Sequence, residues 1–145
     1  MEVQWTYKEK LVLSHSDLLQ GCTDFVYELV FKDKTKYIGK KCVRSMRRLK
    51  PTKEQLAIRK NYKRVELKDV PFLKYVGSSK ENDGKTLVSK TILYQSSSKK
   101  TSTYIEAALL FENDVLFNDT FNNICISGVY WNNSLDGLLD KEEEK

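Results

Sequence analysis

Two tyrosines and an arginine lie near one another in the chain, where they could act together on an anionic group. Tyr27 ends the triplet Phe25-Val26-Tyr27, Tyr37 begins the triplet Tyr37-Ile38-Gly39, and Arg47 follows ten residues after Tyr37. A tyrosine hydroxyl can donate or accept a hydrogen bond, and a guanidinium carries a permanent charge with five donors. The segment from Phe25 to Arg47 therefore combines hydroxyl groups with positive charge.

Two predicted strands position the tyrosines. The polar turn Lys32–Lys36 separates the two apolar triplets, which predicts a hairpin. Large side chains fall on one face of residues Phe25–Phe31 and valines on the other, as expected of a central strand that is buried on both sides. Gly39 lets the backbone pass closely or turn sharply. We also expect an edge strand within Trp5–Leu13.

The segment that carries Arg47 is predicted to be helical. Residues 41–49 and 52–64 show a helical pattern, and Pro51 marks a helix start. On a helix, Arg44, Arg47 and Arg48 would share one face at spacings of three and four, so they could point at one ligand. A later helix is predicted over about Tyr104–Phe117 with Thr103 as its N-cap, followed by a short strand over Phe121–Ile126.

Positive charge is concentrated in one part of the chain. Residues 32–64 hold 14 Lys or Arg against two acidic residues, a balance of +12, whereas the whole chain has a net charge of +5. Such a block attracts polyanions, and nucleic acid is the partner that it favours. A solvated helical surface would explain the same residues.

Composition bounds the fold and excludes several kinds of site. With 145 residues, 40% of them hydrophobic, the chain is long enough for one domain with a sizeable core. Its three cysteines have no C-x-x-C pairing and there is one histidine, His15, so neither a disulfide framework nor a zinc site is supported. We see no signal sequence and no apolar run long enough to span a membrane, and we expect a cytoplasmic protein.

Several short motifs follow one another in a fixed order. They are Phe25-Val26-Tyr27, Tyr37-Ile38-Gly39 with Lys40 and Lys41, Arg47, Tyr75–Ser79, a helical Glu106 before Asp114-Val115-Leu116, and Phe121-Asn122-Asn123-Ile124. In order and spacing this set resembles the GIY-YIG endonuclease superfamily, and more closely its short phage-encoded, homing-endonuclease-like members. The similarity spans roughly residues 24–130.

The resemblance implies an α+β fold with a small central antiparallel sheet, of about three strands, flanked by helices. It implies one domain over residues 1–145, with a core of about 24–130, an N-terminal extension at 1–23 and an acidic tail at 136–145. The implied activity is hydrolysis of phosphodiester bonds in DNA with Mg²⁺ or Mn²⁺, in the host cytoplasm if the gene is phage-encoded. A homodimer or a protein partner for targeting stays open.

The resemblance also implies roles for individual residues. By position in the motifs, Tyr27 or Tyr37 would orient or deprotonate the attacking water, and Arg47 would contact the scissile phosphate. Glu106 would hold the metal, and Asn122 would fix local geometry. A tyrosine with a pKa near 10 needs help from cations to act as a base. The cations expected to help or to contact DNA are Lys40, Lys41, Arg44, Arg48, Lys60 and Lys63.

One feature departs from the family pattern. Many members have a histidine about one helical turn after the arginine, and Lys50-Pro51 occupies that place here, while His15 lies too early. Lys41, Lys60 or Tyr62 could replace it, so the general base is unassigned. A second Tyr-x-Gly triplet, Tyr75-Val76-Gly77, has no matching partner strand, and we prefer the triplet at Tyr37.

Ordinary structural roles compete with these assignments. The tyrosines would also suit amphipathic strands, and Thr103-x-x-Glu106 is also a capping box, in which the carboxylate bonds the N-cap amide. Asn122 and Asn123 could be turn residues, and the motif register between them is open by one. Two other functions compete with the nuclease: a catalytically decayed nucleic-acid-binding module on the same fold, and a protein-binding inhibitor or adaptor.

Overall fold

The structure is a computed structural model that describes residues 3–77, 82–126 and 139. The strands and helices of this part are β1 (Trp5–Tyr7), β2 (Lys10–Val12), β3 (Asp24–Phe31), β4 (Lys36–Cys42), β5 (Arg44–Leu49), α1 (Lys53–Ile58), β6 (Arg64–Asp69), β7 (Leu87–Ser96) and α2 (Lys99–Glu112). Five strands form one sheet in the order β2-β1-β7-β3-β4, and β5 and β6 form a separate ribbon. The acidic tail predicted at 136–145 lies outside the described residues except for Leu139.

The α+β class is confirmed, and the sheet is larger than predicted. It contains five strands rather than about three, and it is mixed, because β1 runs parallel to β7 while the other neighbours are antiparallel. The additional strands come partly from the predicted N-terminal extension. Trp5 of β1 is fully buried, and its ring lies 4.9 Å from that of Phe25 in an edge-on contact.

The hairpin that carries the tyrosines is found where the sequence predicts it. β3 and β4 pair in antiparallel register, with Tyr27 opposite Gly39 and Leu29 opposite Tyr37. β3 lies between β4 and β7, and both of its faces are buried, as expected of a central strand. Its aromatic face packs on Trp5 and Phe72, and its valine face packs with β4 beneath α2.

The predicted helix over residues 41–49 is wrong. Residues Lys36–Cys42 belong to β4, and Arg44–Leu49 form β5, which pairs with β6 over six residues. The spacing of the arginines fits a helix locally, but the hydrogen bonds to a strand about 20 residues later decide the outcome. Pairing of this kind overrides local preference. The helix predicted over 52–64 is only Lys53–Ile58, with Thr52 and Gln55 forming its capping box.

The later helix begins earlier than predicted. α2 spans Lys99–Glu112, and its N-cap is Ser98, whose hydroxyl accepts a hydrogen bond from the Thr101 amide. Thr103 is therefore an interior residue, and its hydroxyl donates to the Lys99 carbonyl at 2.9 Å. The capping-box interpretation of Glu106 is wrong, because the helix does not start at Thr103.

The segment after α2 covers the outer edge of β4. The strand predicted over Phe121–Ile126 is wrong, since only one bridge forms, between Phe121 and Lys36. The Lys36 amide donates to the Thr120 carbonyl and the Asn122 amide donates to the Lys36 carbonyl, both at 2.7 Å. These bonds satisfy backbone groups of an edge strand that would otherwise be open.

The turn of the hairpin is held by one carboxylate. Asp33 accepts hydrogen bonds from the Thr35 amide at 3.0 Å and from the Lys85 ammonium at 2.6 Å. The bond from Lys85 and those from Thr35 lower the pKa of Asp33 to about 2. The turn is thereby tied to the segment that leads into β7.

Gly39 is required by the packing of Tyr27. A β-carbon at position 39 would lie 2.5 Å from the Tyr27 hydroxyl oxygen, 2.7 Å from Tyr27 Cζ and 3.0 Å from Tyr37 Cε1. Contacts under 3 Å demand that one of the groups move, and the Tyr27 ring is fully buried. Residues larger than glycine are therefore excluded from position 39 by steric clash with Tyr27.

Gly39→Ala should lower the free energy of unfolding by about 1–3 kcal/mol, the usual cost of overpacking a core. Urea unfolding measures this loss. Because Tyr27→Phe removes the closest atom, the double variant should recover part of it. Gly84→Ala is the matched control, because its β-carbon meets nothing within 4 Å and its cost comes from a φ of +76°. Equal rescue of both glycine variants by Tyr27→Phe would contradict the steric explanation.

Candidate active site at the tyrosine strands

The structure brings Tyr27 and Tyr37 together on one face of the hairpin. Their ring centroids are 6.4 Å apart. Tyr27 is only 1% exposed, whereas Tyr37 is half-buried. A group outside the protein could therefore reach Tyr37 more easily than Tyr27.

A third tyrosine joins the pair. The Tyr75 ring lies edge-on to Tyr27 at 5.9 Å, and the two side chains share a hydrogen bond. The triplet Tyr75-Val76-Gly77 has no partner strand, as its sequence context predicts, but Tyr75 reaches the site from a loop. Gly77, two residues after Tyr75, is the feature of the sequence that could have indicated this approach. Its φ is +88°, and a β-carbon added to it would lie 3.7 Å from the Tyr27 hydroxyl oxygen.

The surroundings of Tyr27 keep its hydroxyl protonated. Burial is the largest cause that raises the pKa of Tyr27, and the neighbouring Tyr75, Tyr37 and Glu106 raise it further. A raised pKa makes the phenolate scarcer at neutral pH, so Tyr27 is a hydrogen-bond donor and a poor general base. Of the two roles predicted for it, orientation fits the structure better than deprotonation.

Lys41 places a positive charge beside the tyrosines. Its ammonium nitrogen lies 4.8 Å from the centroid of the Tyr75 ring, within the range of a cation–π interaction. Because side chains alternate along a strand, Lys41 projects from the same face of β4 as Tyr37. The predicted cation near the tyrosines therefore comes from the strand that follows Gly39.

Glu106 projects from α2, which packs on the other face of the hairpin. Lys40 projects to this face, and its ammonium donates a hydrogen bond to the Thr103 hydroxyl, one helical turn before Glu106. Burial raises the pKa of Glu106, and the charge of Lys40 partly opposes that rise. Asp24 has a pKa raised in the same way and opposed by Lys40 and Lys99. The positive charge of Lys40 thus favours the ionised form of two desolvated carboxylates, Asp24 and Glu106.

The donor set at Glu106 suits a hard cation. Among the described residues no group of three or more His, Cys, Asp or Glu side chains could hold a metal. Mg²⁺ needs no such group, because it is often held by one or two carboxylates, with water and substrate phosphates completing its shell. The half-buried carboxylate of Glu106 could act as one such ligand.

Both asparagines of the last motif bind the hairpin. The Asn123 side chain accepts from the Ile38 amide at 3.1 Å and donates to the Ile38 carbonyl at 2.7 Å. The Asn122 side chain donates to Thr35 at 3.1 Å and to Asn82 at 3.2 Å. The asparagine that bonds the Tyr37-Ile38-Gly39 backbone directly is therefore Asn123. The role predicted for Asn122, fixing local geometry, is one that both Asn122 and Asn123 are placed to fill.

A family comparison matches nearly the whole chain to one domain. The matching family model is described as "Putative endonuclease segE, GIY-YIG domain", and it covers residues 5–135. The chain belongs to this GIY-YIG family. The resemblance inferred from the motifs is confirmed, and the match also includes β1 and β2. No curated protein and no solved structure gave a significant match to the chain.

Membership in the GIY-YIG family indicates the general activity. The family consists of nucleases, which makes DNA the implied substrate of this member. In the part of the chain that the structure describes, no helix is long and apolar enough to cross a membrane.

Arg47 is not held among the tyrosines in this GIY-YIG domain. It lies on β5, exposed, with its guanidinium 3.9 Å from the Glu66 carboxylate across the ribbon. Strand alternation puts it on the opposite face from Arg44 and Arg48, so the shared face predicted for the three arginines is wrong. The scissile-phosphate role of Arg47 stays a prediction.

Arg44 is bound to backbone carbonyl groups of its own chain. Its guanidinium donates to the carbonyls of His15 at 2.7 Å, Cys22 at 3.1 Å and Leu19 at 3.3 Å, and it lies 3.5 Å from Asp69. These bonds hold the base of the ribbon against the loop before β3. They also occupy the Arg44 guanidinium, which was predicted to contact DNA. Arg48, Lys60 and Lys63 are exposed and are available for DNA binding.

His15 completes the base of the ribbon and is bound to the backbone there. Its Nε2 lies 3.1 Å from the Val43 carbonyl and 2.9 Å from the Val70 carbonyl. The family histidine that is missing at Lys50-Pro51 would follow β5, at the far end of the ribbon. Among the described residues, Lys41 remains the candidate nearest to the tyrosines for the role of that histidine.

Arg44→Ala should destabilise the protein by about 2 kcal/mol, because it removes charged hydrogen bonds to partly buried carbonyls. Arg48→Ala, on the same face of the same strand, should change stability by less than about 0.5 kcal/mol. Urea unfolding of the two variants compares them directly. Similar destabilisation of both would show that the hydrogen bonds of Arg44 contribute little.

Glu106→Gln should raise the melting temperature at pH 7. Burial raises the pKa of Glu106 in the folded protein above its value in the unfolded chain. The contribution of Glu106 to stability is therefore fully present below the unfolded pKa, where the carboxyl is protonated in both states. It is lost as pH rises through the folded pKa and the buried group must ionise. A neutral amide avoids that loss, so the gain should shrink as pH falls toward 4. Scanning calorimetry from pH 4 to 8 measures it, with exposed Glu112→Gln as the control. A gain that is independent of pH would contradict desolvation as the cause.

Proposed function

We propose that this GIY-YIG domain is a Mg²⁺-dependent endonuclease that hydrolyses phosphodiester bonds in DNA. The observation that carries the proposal is the β3–β4 register, which sets Tyr27 and Tyr37 beside Lys41 with the carboxylate of Glu106 close enough to raise the pKa of Tyr27. Two desolvated titratable groups that influence each other, as Tyr27 and Glu106 do, are typical of functional sites.

The reaction needs an oriented water, a proton acceptor and positive charge around the phosphate. Mg²⁺ bound at Glu106 would supply positive charge for the phosphate oxygens and the leaving group. Tyr27 shares a hydrogen bond with Tyr75 inside the cluster, and its ring contacts those of Tyr37 and Tyr75. Tyr37, which is partly exposed, is the tyrosine that can meet the attacking water.

Cations on the hairpin and the ribbon would bind the substrate phosphates. Lys41 faces the tyrosines, and its ammonium is suited to contact the scissile phosphate. Arg47 can join it only if DNA spans the distance from the ribbon to the hairpin. Asn123 holds the Tyr37-Ile38-Gly39 backbone, so it supports the site without contacting substrate.

A second function is favoured by the position of Arg47. An arginine outside the tyrosine cluster is what a catalytically decayed DNA-binding module would show. In that case the protein would retain DNA and leave it intact with any divalent metal.

The test is nicking of supercoiled plasmid by the wild-type protein in Mg²⁺, with EDTA as the metal-free control. Glu106→Ala should lower the rate at least ~10²-fold, since removal of even a supporting group at a metal site costs ~10–100-fold. Glu112→Ala, a matched carboxylate on the exposed side of α2, should cut as wild type. DNA retention in Ca²⁺ should survive both substitutions.

The outcomes separate the alternatives. Wild-type cutting that Glu106→Ala leaves unchanged would disprove the assignment of the metal ligand. Retention of DNA without cutting in Mg²⁺ or Mn²⁺ would support the decayed module, and absence of both would leave a protein-binding role.

A further inference from the structure

The ribbon formed by β5 and β6 is a sheet separate from the main one. Its pairs run from Arg44–Asp69 at the base to Leu49–Arg64 at the far end. Six residues per strand give a length of ~20 Å. The base is closed by a hydrogen bond from the Val70 amide to the Val43 carbonyl at 2.9 Å.

The ribbon and the segment that joins its two strands together carry most of the positive charge. Residues 44–69 contain ten Lys or Arg against three Asp or Glu, a net charge of +7, so the rest of the chain sums to −2. Two of the three acids are already paired, Glu66 with Arg47 and Asp69 with Arg44. The excess charge has no counterpart on the ribbon itself.

One face of the ribbon exposes three apolar side chains beside an arginine. Cross-strand pairing puts Met46 opposite Leu67 and Arg48 opposite Val65 on the same face. Met46 is 69% exposed, Val65 54% and Leu67 45%. The other face carries Arg47, Arg64 and Lys68.

An isolated two-stranded ribbon is only marginally stable in water. Six-residue strands with an uncovered apolar face therefore gain much from a partner that covers that face and neutralises their charge. The partner must be anionic and must offer both apolar groups and acceptors.

We propose that the β5–β6 ribbon enters the major groove of B-form DNA, with the face that carries Met46 and Arg48 toward the base edges. This inference rests on the proposed function for the choice of DNA. The groove is ~12 Å wide and ~8.5 Å deep and admits a two-stranded ribbon. Its floor offers thymine methyls to Met46, Val65 and Leu67, and guanine acceptors to Arg48.

The remaining charges suit the groove walls. Lys68 and Arg64 on the other face, with the lysines around α1, can reach phosphates and fix the ribbon in position. The deep, narrow major groove of A-form RNA would not admit the ribbon, so duplex DNA is the specific partner.

The base of the ribbon adjoins the tyrosine cluster. A cavity of about 590 Å³ is lined by Asp69 at the end of β6 and by Phe72 and Tyr75. A second, of about 520 Å³, is lined by Ser45 and Met46 of β5 and by Lys99 and Lys100 at the start of α2. A duplex held along the ribbon would thus lie beside the residues proposed to cut it.

The experiment measures binding of a labelled 30-bp DNA duplex by fluorescence anisotropy in Ca²⁺, from 50 to 300 mM salt. In the first variant, residues 46–67 are replaced by Asn-Gly, a turn that closes two-residue hairpins, so that Arg44 and Asp69 remain. We expect at least ~10²-fold weaker binding and a salt slope that is smaller by about one for each phosphate that the variant no longer binds. Circular dichroism and thermal melting check that this variant folds.

Point variants keep the test valid if the shortened chain does not fold. Arg48→Gln should weaken binding ~10-fold, as expected when a bidentate bond to a base is removed, and Met46→Ser should weaken it less. Phe111→Ser, an exposed apolar residue of α2, is the matched control and should have no effect. Methylation of guanine N7, a major-groove acceptor, should interfere with wild-type binding, whereas the minor-groove ligand netropsin and an RNA duplex should compete poorly.

Failure of this inference differs from failure of the proposed function. If wild type cuts plasmid and the folded shortened variant binds as tightly, the ribbon is not the DNA interface. Displacement by netropsin without N7 interference would place the DNA contact in the minor groove and overturn the proposal. Ribbon-dependent, N7-sensitive binding without cutting would support the ribbon inference and disprove the nuclease activity.

Discussion

The buried hydroxyl of Tyr27 against the bare backbone of Gly39 is the constraint on which the site depends. The ring also contacts Trp5 at 5.3 Å, Tyr37 and Tyr75, so one side chain joins β1, β3, β4 and the loop after β6. Any side chain at position 39 would displace this ring. The glycine of the motif is therefore a packing requirement, and the sheet core and the candidate site share the residue that imposes it.

β4 separates two environments by alternation of its side chains. Lys40 and Lys41 are neighbours in sequence, yet one ammonium lies under α2 with Glu106 and the other lies over the Tyr75 ring. The charge of Glu106, on the side of α2, is nevertheless one of the causes that raise the pKa of Tyr27. Because the Thr120–Asn123 segment covers the free edge of β4, this arrangement does not depend on a further strand.

The sequence patterns predicted those elements whose formation depends on residues close together in the chain. The β3–β4 hairpin, the burial of β3 and the existence of a helix around Glu106 were readable from alternation and turn residues. β5 was not, because the spacing of its arginines suits a helix and its partner β6 comes about 20 residues later. Tyr75 was missed for a similar reason, since its interaction with Tyr27 is tertiary. The start of α2 was misplaced because Ser98 and Thr103 are both plausible caps, and only packing chooses between them.

The hydrogen bond between Val43 and Val70 has a consequence for how this fold can vary. It joins the two ends of the 26-residue segment 44–69 directly, so the chain departs after β4 and returns to the same place after β6. The entropy of closing such a loop grows only slowly with its length. Longer, shorter or differently charged excursions could be grafted at this junction while β4 and the tyrosine cluster keep their geometry, which makes the ribbon the exchangeable part of the domain.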